Sequence, residues 1–219
     1  MRRRDDTALW IVIGGLIMLA RSNRPTPTAA EWGADWHWPV SDLHARGSLP
    51  YPWREVDYPA TITQEFRDPS HLGVDVAYQR IATSDRPEYA PPHDSDASGK
   101  YFSPPGTPIL AARDGKVWSV GKSPRGISVV LSHAKPWATF YQHLESCVLP
   151  AHAEGRLANG GDGMTVRAGD VIGRMGWDPL DPEGFRHLHF AVWYKGSGDK
   201  ASVDPVVAMR TWKRSTWSL

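Results

Sequence analysis

"GFRHLHFAVWY", residues 184–194, places His187 and His189 two apart in a run of aromatic and β-branched residues. In an extended chain successive side chains point to opposite faces, so His187 and His189 share one face while Leu188, Phe190 and Val192 share the other. The stretch predicts a strand with one side fit for a core and an imidazole-bearing side left for other work. Two histidines on a strand face also occur as an ordinary half-exposed pair, so their meaning depends on what neighbouring strands bring.

Neighbouring strands are easy to find. "TITQEF" (61–66), "GVDVAY" (73–78), "TPILAA" (107–112) and "GKVWSV" (115–120) are short and rich in β-branched and aromatic residues. So are "ISVVLSH" (127–133), "ATFYQHL" (138–144), "DVIGRMG" (170–176) and "HLHFAVWY" (187–194). Gly, Pro and Asp separate them, as turns require. No stretch after residue 60 keeps a 3.6-residue apolar period, and most connections are too short for crossovers. The expected fold is all-β: an antiparallel sheet or sandwich with a groove.

Composition narrows the function. The 25 Lys and Arg nearly balance the 24 Asp and Glu, so no basic footprint points to nucleic acid. The single cysteine, Cys147, rules out an intrachain disulfide and reads as a small buried apolar residue.

The N-terminus has Arg2, Arg3 and Arg4 ahead of an apolar run from Ala8 to Ala20. Read as a short hydrophobic helix, that run reaches only about 20 Å, short of the roughly 30 Å hydrocarbon core. It suits a signal peptide, or an uncleaved signal anchor, over residues 1–20, with membrane anchoring through residues 8–20 and an extracytoplasmic domain beyond. Residues 21–50, with Pro25, Pro27, Pro39 and Pro50 among Trp32, Trp36 and Trp38, read as a linker whose tryptophans pack on the domain at 51–219.

Two further segments give the histidine pair its company. "SHLGVDVA" carries His71 and Asp75 four apart, on one face of a strand, with Gly73 leaving room between them. "FYQHL" carries Tyr141 and His143, which strict alternation puts on one face. Two imidazoles and one carboxylate are the protein ligands of an open zinc site, and two further imidazoles could serve as acid, base or hydrogen-bond donor. No H-E-x-x-H occurs, so a helical zinc site with a glutamate base is excluded as a motif. His37, His44, His93 and His152 read as solvated, His133 as a turn cap and Arg67 as a partner in a surface ion pair.

"HLGVD", "GTPILAARDGKV", "TFYQHL", "VRAGDVIGRMG", "HLHF" and "VDP", in this order, resemble the lysostaphin-type, LytM-like zinc metallopeptidases that cut peptide crosslinks in bacterial cell walls. The likeness spans roughly residues 60–207. It implies one zinc ion on His71, Asp75 and His189, catalytic histidines at His143 and His187, and peptidoglycan peptides as substrate. It also leaves two alternatives: a non-catalytic module that activates another wall hydrolase, or the hydrolase part of an envelope or phage machine that opens the wall locally. The chain departs from the family in the long segment 80–105, in the long connection after Glu145, and in Ala191, where Glu commonly follows HLHF. Segment 80–105 leaves the sheet just after Asp75, so it is expected to wall or cover the groove.

Overall fold

The computed structural model describes residues 12–13, 16–17, 24, 26–46, 55–79, 100–149, 164–178, 180 and 184–218. Its strands run in chain order from β1 (Val12–Ile13) and β2 (Leu16–Ile17) to β3 (Asp42–Arg46), β4 (Glu55–Tyr58), β5 (Ala60–Gln64) and β6 (Val74–Gln79), with the one-turn helix α1 (Ala29–Trp32) before β3. Next come β7 (Tyr101–Phe102), β8 (Pro108–Leu110), β9 (Gly115–Ser123), β10 (Gly126–His133) and β11 (Trp137–Cys147). The last are β12 (Thr165–Val166), β13 (Val171–Met175), β14 (Leu188–Tyr194), β15 (Ser202–Val203), helix α2 (Val206–Met209) and β16 (Thr216–Ser218).

The quoted histidine strand, β14, lies in the middle of the main sheet, whose order is β12-β9-β10-β11-β14-β6-β5. Every pairing in this sheet is antiparallel, in keeping with the all-β expectation. The exception lies in a second, three-stranded sheet, where β16 runs parallel to β3. Tyr141 pairs with Phe190, and Phe190 with Val74; paired residues share a face, and all three are fully buried. One register position along, Gln142, His189 and Asp75 form a row on the opposite face. Three register shifts flank that row, at Ile127/Val129, Leu144/Ser146 and Ile62/Gln64. Bulges of this kind bend a sheet and re-aim side chains, and they gather beside functional sites.

The described part of segment 21–50 packs into the same core. Trp36 stacks on Trp212 at 4.8 Å, Trp32 lies 4.6 Å from Trp137, and Trp212 meets Phe190 edge-on at 6.1 Å. Trp32 and Trp36 come from one side of the described chain, Trp212 from the other and Trp137 from the start of β11, and together they cover the back of the sheet, away from the histidines. Their indole N–H groups find partners inside: Trp36 Nε1 donates to Trp32 O, and Trp38 Nε1 to Met209 O at 2.8 Å. Strand β3 carries the same segment into the second sheet, between β4 and β16.

Two expectations change here, and a third lies mostly outside the described residues. Where the apolar N-terminal run is described it is no helix, since Val12–Ile13 and Leu16–Ile17 pair as a short antiparallel ladder. β-Branched Val12, Ile13 and Ile17 favour that form, and Gly14 and Gly15 between them cost a helix about 1 kcal/mol each. Among the described residues no helix is long and apolar enough to cross a membrane. Of segment 80–105, residues 80–99 lie outside the described residues, while Tyr101–Phe102 pairs with β6 and buries Phe102. His133 is no exposed turn cap: it is buried, with Nδ1 against Asp114 O at 2.9 Å and Nε2 against Thr139 Oγ1 at 2.8 Å.

Two measurements test this packing. Trp36→Ala should cost about 3–5 kcal/mol in chemical denaturation, whereas Trp118→Ala, at a position 38% exposed, should stay within about 0.5 kcal/mol. Burial holds His133 at a pKa of about 4, below the ordinary 6.5 that it regains on unfolding. Between those values the unfolded chain binds the extra proton, so stability is complete above about pH 6.5 and declines as pH falls toward 4. His133→Gln should flatten that decline in denaturation curves recorded across the same window.

Candidate metal centre

His71 stands just before β6, in a turn closed by two main-chain bonds with Arg67, Arg67 N to His71 O at 2.8 Å and His71 N to Arg67 O at 2.7 Å. Arg67 thus serves the site through its backbone. The His71 ring is oriented by Nδ1–H, which donates to Glu65 O at 2.9 Å and leaves Nε2 as the inward atom. Asp75 sits on β6 directly opposite His189 on β14. Asp75 Oδ1 lies 3.2 Å from His71 Nε2 and 3.0 Å from His189 Nδ1, and those two nitrogens are 3.1 Å apart.

This donor set fits a metal ion. With bonds of about 2.0–2.1 Å in tetrahedral geometry, ligand atoms stand about 3.3 Å apart, close to the spacing found. The set is half-buried to buried, with Asp75 only 7% exposed. Burial works to raise the Asp75 carboxyl, but hydrogen bonds from His189 and His71 outweigh it and hold the group well below the usual carboxylate range. Burial likewise works against charge on His71, yet the bond and charge of Asp75 raise it overall. Gly73 completes the cradle: a Cβ there would lie 2.7 Å from Phe190 O and 2.8 Å from His189 Nε2.

His143 reaches the site by breaking a rule. Alternation would put it with Tyr141 on the core side, and Tyr141 is indeed in the core, its hydroxyl accepting from Ala112 N at 2.8 Å and Thr139 Oγ1 at 3.2 Å. The expectation that Tyr141 and His143 share a face is therefore corrected. His143 adopts φ of 69°, in the left-handed region, and its ring swings to the metal side. There it lies 4.9 Å from the His187 ring and 6.1 Å from the His189 ring, centroid to centroid. A non-glycine residue held there costs on the order of 1–3 kcal/mol, a strain that gathers at functional sites. Gly176 N donates to His143 O at 2.7 Å, and His143 Nδ1–H donates to Arg125 O at 2.9 Å, so Nε2 is the atom left for chemistry. Burial lowers His143 to about 4, keeping it neutral at pH 7.

His187 precedes β14 and is buried, its Nδ1 3.2 Å from Phe185 O. Beyond the histidines the same sheet face carries Phe140 and Trp193, half-buried and stacked at 5.6 Å. Sequence reading overlooked Asp178 and Arg125, which form an ion pair beside His143. Asp178 lies in "GWDPLDP", which reads only as a turn, so nothing in the sequence marks it.

The fold is the all-β one that the lysostaphin-type resemblance implies. Residues 97–205 match the model for Peptidase family M23. The matched stretch holds His143, His187 and His189; His71 and Asp75 precede it and join it through the β6–β14 pairing. Over 106 residues the chain is 34% identical to the uncharacterized lipoprotein YgeR of Escherichia coli (strain K12), covering 48% of this chain and 35% of that protein. The chain thus matches about a third of the length of that curated relative. Among solved structures, a zinc-containing peptidase from Vibrio cholerae matches with a TM-score of 0.46 and 20% identity, covering 84% of this chain and 41% of that one. The catalytic domain of lysostaphin from Staphylococcus simulans matches with a TM-score of 0.45 and 20% identity, covering 70% of this chain and 92% of that one.

The Gly73 cradle can be tested directly. Gly73→Ala must push against a backbone oxygen, which cannot move as a side chain would, so His189 should shift instead. Zinc affinity, measured by competition with a chromophoric chelator, is expected to fall by about 10–100-fold, as when other groups that support ligands are disturbed.

Proposed function

We propose that this chain is a zinc-dependent endopeptidase that hydrolyses peptide crosslinks of bacterial peptidoglycan, working outside the cytoplasm. The observation that carries this reading is the convergence of His71, Asp75 and His189 on one point, with the strained His143 and His187 beside them. His71 Nε2, Asp75 Oδ1 and His189 Nδ1 would hold the ion. Zinc bound there supplies a Lewis acid and a water whose pKa is lowered toward about 7.

The chain's own residues supply the rest. Asp75, held ionised, balances part of the ion's charge. His143, kept neutral by burial and anchored through Nδ1, offers Nε2 as a proton acceptor at neutral pH. His187, whose ring lies 4.9 Å from that of His143, is the second imidazole beside the attacked carbonyl. Phe140 and Trp193 exclude water along the groove floor and support the peptide. The extracytoplasmic placement rests on the apolar N-terminal run behind three arginines and on the lipoprotein name of the Escherichia coli relative. Residues 8–20 serve as the export signal or anchor.

The test uses the purified protein with sacculi of defined crosslink chemistry, identifying released muropeptides by mass. One zinc per chain is expected by elemental analysis. His189→Ala should lose most of that zinc, whereas His143→Ala and His187→Ala should keep zinc and fold but release muropeptides about a hundredfold more slowly or less. Undiminished release by both catalytic variants, or full zinc in His189→Ala, would overturn the reading.

A further inference from the structure

We infer that Asp178 is a positioning residue for His143, acting through Arg125. The inference rests on the catalytic role proposed for His143. It starts from a contrast in burial: the Asp178 side chain is 2% exposed, that of Arg125 52%. Asp178 Oδ2 accepts from the Arg125 guanidinium, and Oδ1 accepts from Leu180 N at 2.9 Å. A carboxylate this buried is maintained only where it is paired and hydrogen-bonded, and here its partner is a side chain from the surface.

That partner occupies a demanding place. Pro124 and Arg125 form the turn between β9 and β10, and residues 122–125 are all exposed. Exposed hairpin tips open more readily than sheet interiors. Yet the main-chain oxygen of this turn, Arg125 O, accepts the Nδ1–H bond that orients His143. The orientation of a buried imidazole therefore hangs on an exposed tip. Ser123 Oγ braces it locally, accepting from Arg125 N at 3.1 Å. Asp178 ties it across the site to the segment after β13, where Gly176 N holds His143 O. The two segments that grip His143 are thus joined to each other by the Arg125–Asp178 pair. Asp178 Oδ2 is 3.9 Å from His143 Nδ1, beyond hydrogen-bond range, so its influence passes through Arg125.

The test uses the full-length, zinc-loaded protein as Asp178→Asn, Arg125→Gln, Arg125→Lys and His143→Ala. The His143 Nδ1–H resonance, identified in nitrogen-15 NMR by its loss in His143→Ala, should be sharp in the parent. It should broaden through exchange with water in Asp178→Asn and Arg125→Gln and return in Arg125→Lys, which keeps a cation for Asp178. With a soluble crosslinked muropeptide, kcat should fall about tenfold in the first two variants, with KM within about twofold and zinc content unchanged. An unchanged sharp resonance in Arg125→Gln, which alters only an exposed side chain, overturns the inference even if Asp178→Asn does not fold. A raised KM with unchanged kcat overturns it too, because Arg125 would then be a substrate contact. Full turnover by His143→Ala would sink the catalytic role of His143 instead, while the resonance would still decide the positioning.

Discussion

The register between β6 and β14 is the constraint on which the site depends. Asp75 stands directly opposite His189, so a carboxylate and an imidazole meet across neighbouring strands without help from any loop. A one-residue slip of β14 would turn Leu188 and Phe190 away from the core and send His189 into it. The apolar residues that alternate with Asp75 and His189 prevent it. Val74, Val76, Leu188 and Phe190 are fully buried, and exposing even one would cost about 1.5–3 kcal/mol. The core on one face therefore fixes how Asp75 and His189 meet on the other, and Gly73 gives the backbone room to approach His189 closely.

That core needs a lid, and the two ends of the described chain provide one. Trp32 and Trp36 from the N-terminal side meet Trp212 from the C-terminal side over the back of the sheet, with Trp137 between them, while Trp38 bonds to Met209 O. Arg113 lies over the Trp36 ring at 5.1 Å and Arg214 over Trp38 at 4.0 Å, so cations cover the outer rings where the cluster nears solvent. A proline- and tryptophan-rich stretch that looks like a spacer is thereby part of the hydrophobic interior.

The site also contains a controlled exception. Sheet periodicity delivers Asp75, His187 and His189 to the groove at no conformational cost, but it delivers position 143 to the wrong side. The left-handed turn at His143 repairs this, and the bulges at Ile127/Val129 and Leu144/Ser146 absorb the disruption around it. Such strain persists only where neighbours over-determine it, which is what the bonds from Gly176 N and to Arg125 O do.

The sequence by itself determined the all-β class, the apolar face of β14 and the shared faces that carry Asp75 on β6 and His189 on β14, because period-2 alternation is a local property written into neighbouring residues. It also carried His71, Asp75, His143, His187 and His189 through short ordered motifs. Strands β3, β4 and β16 escaped notice, since they become strands by pairing with one another across the chain and carry little alternation of their own. Only the tertiary structure decided the face of His143, the burial of His133 and Tyr141, and the pairing of Asp178 with Arg125. Each of these depends on a backbone torsion or on a neighbour distant in sequence, and neither can be read from the spacing of residues along a strand.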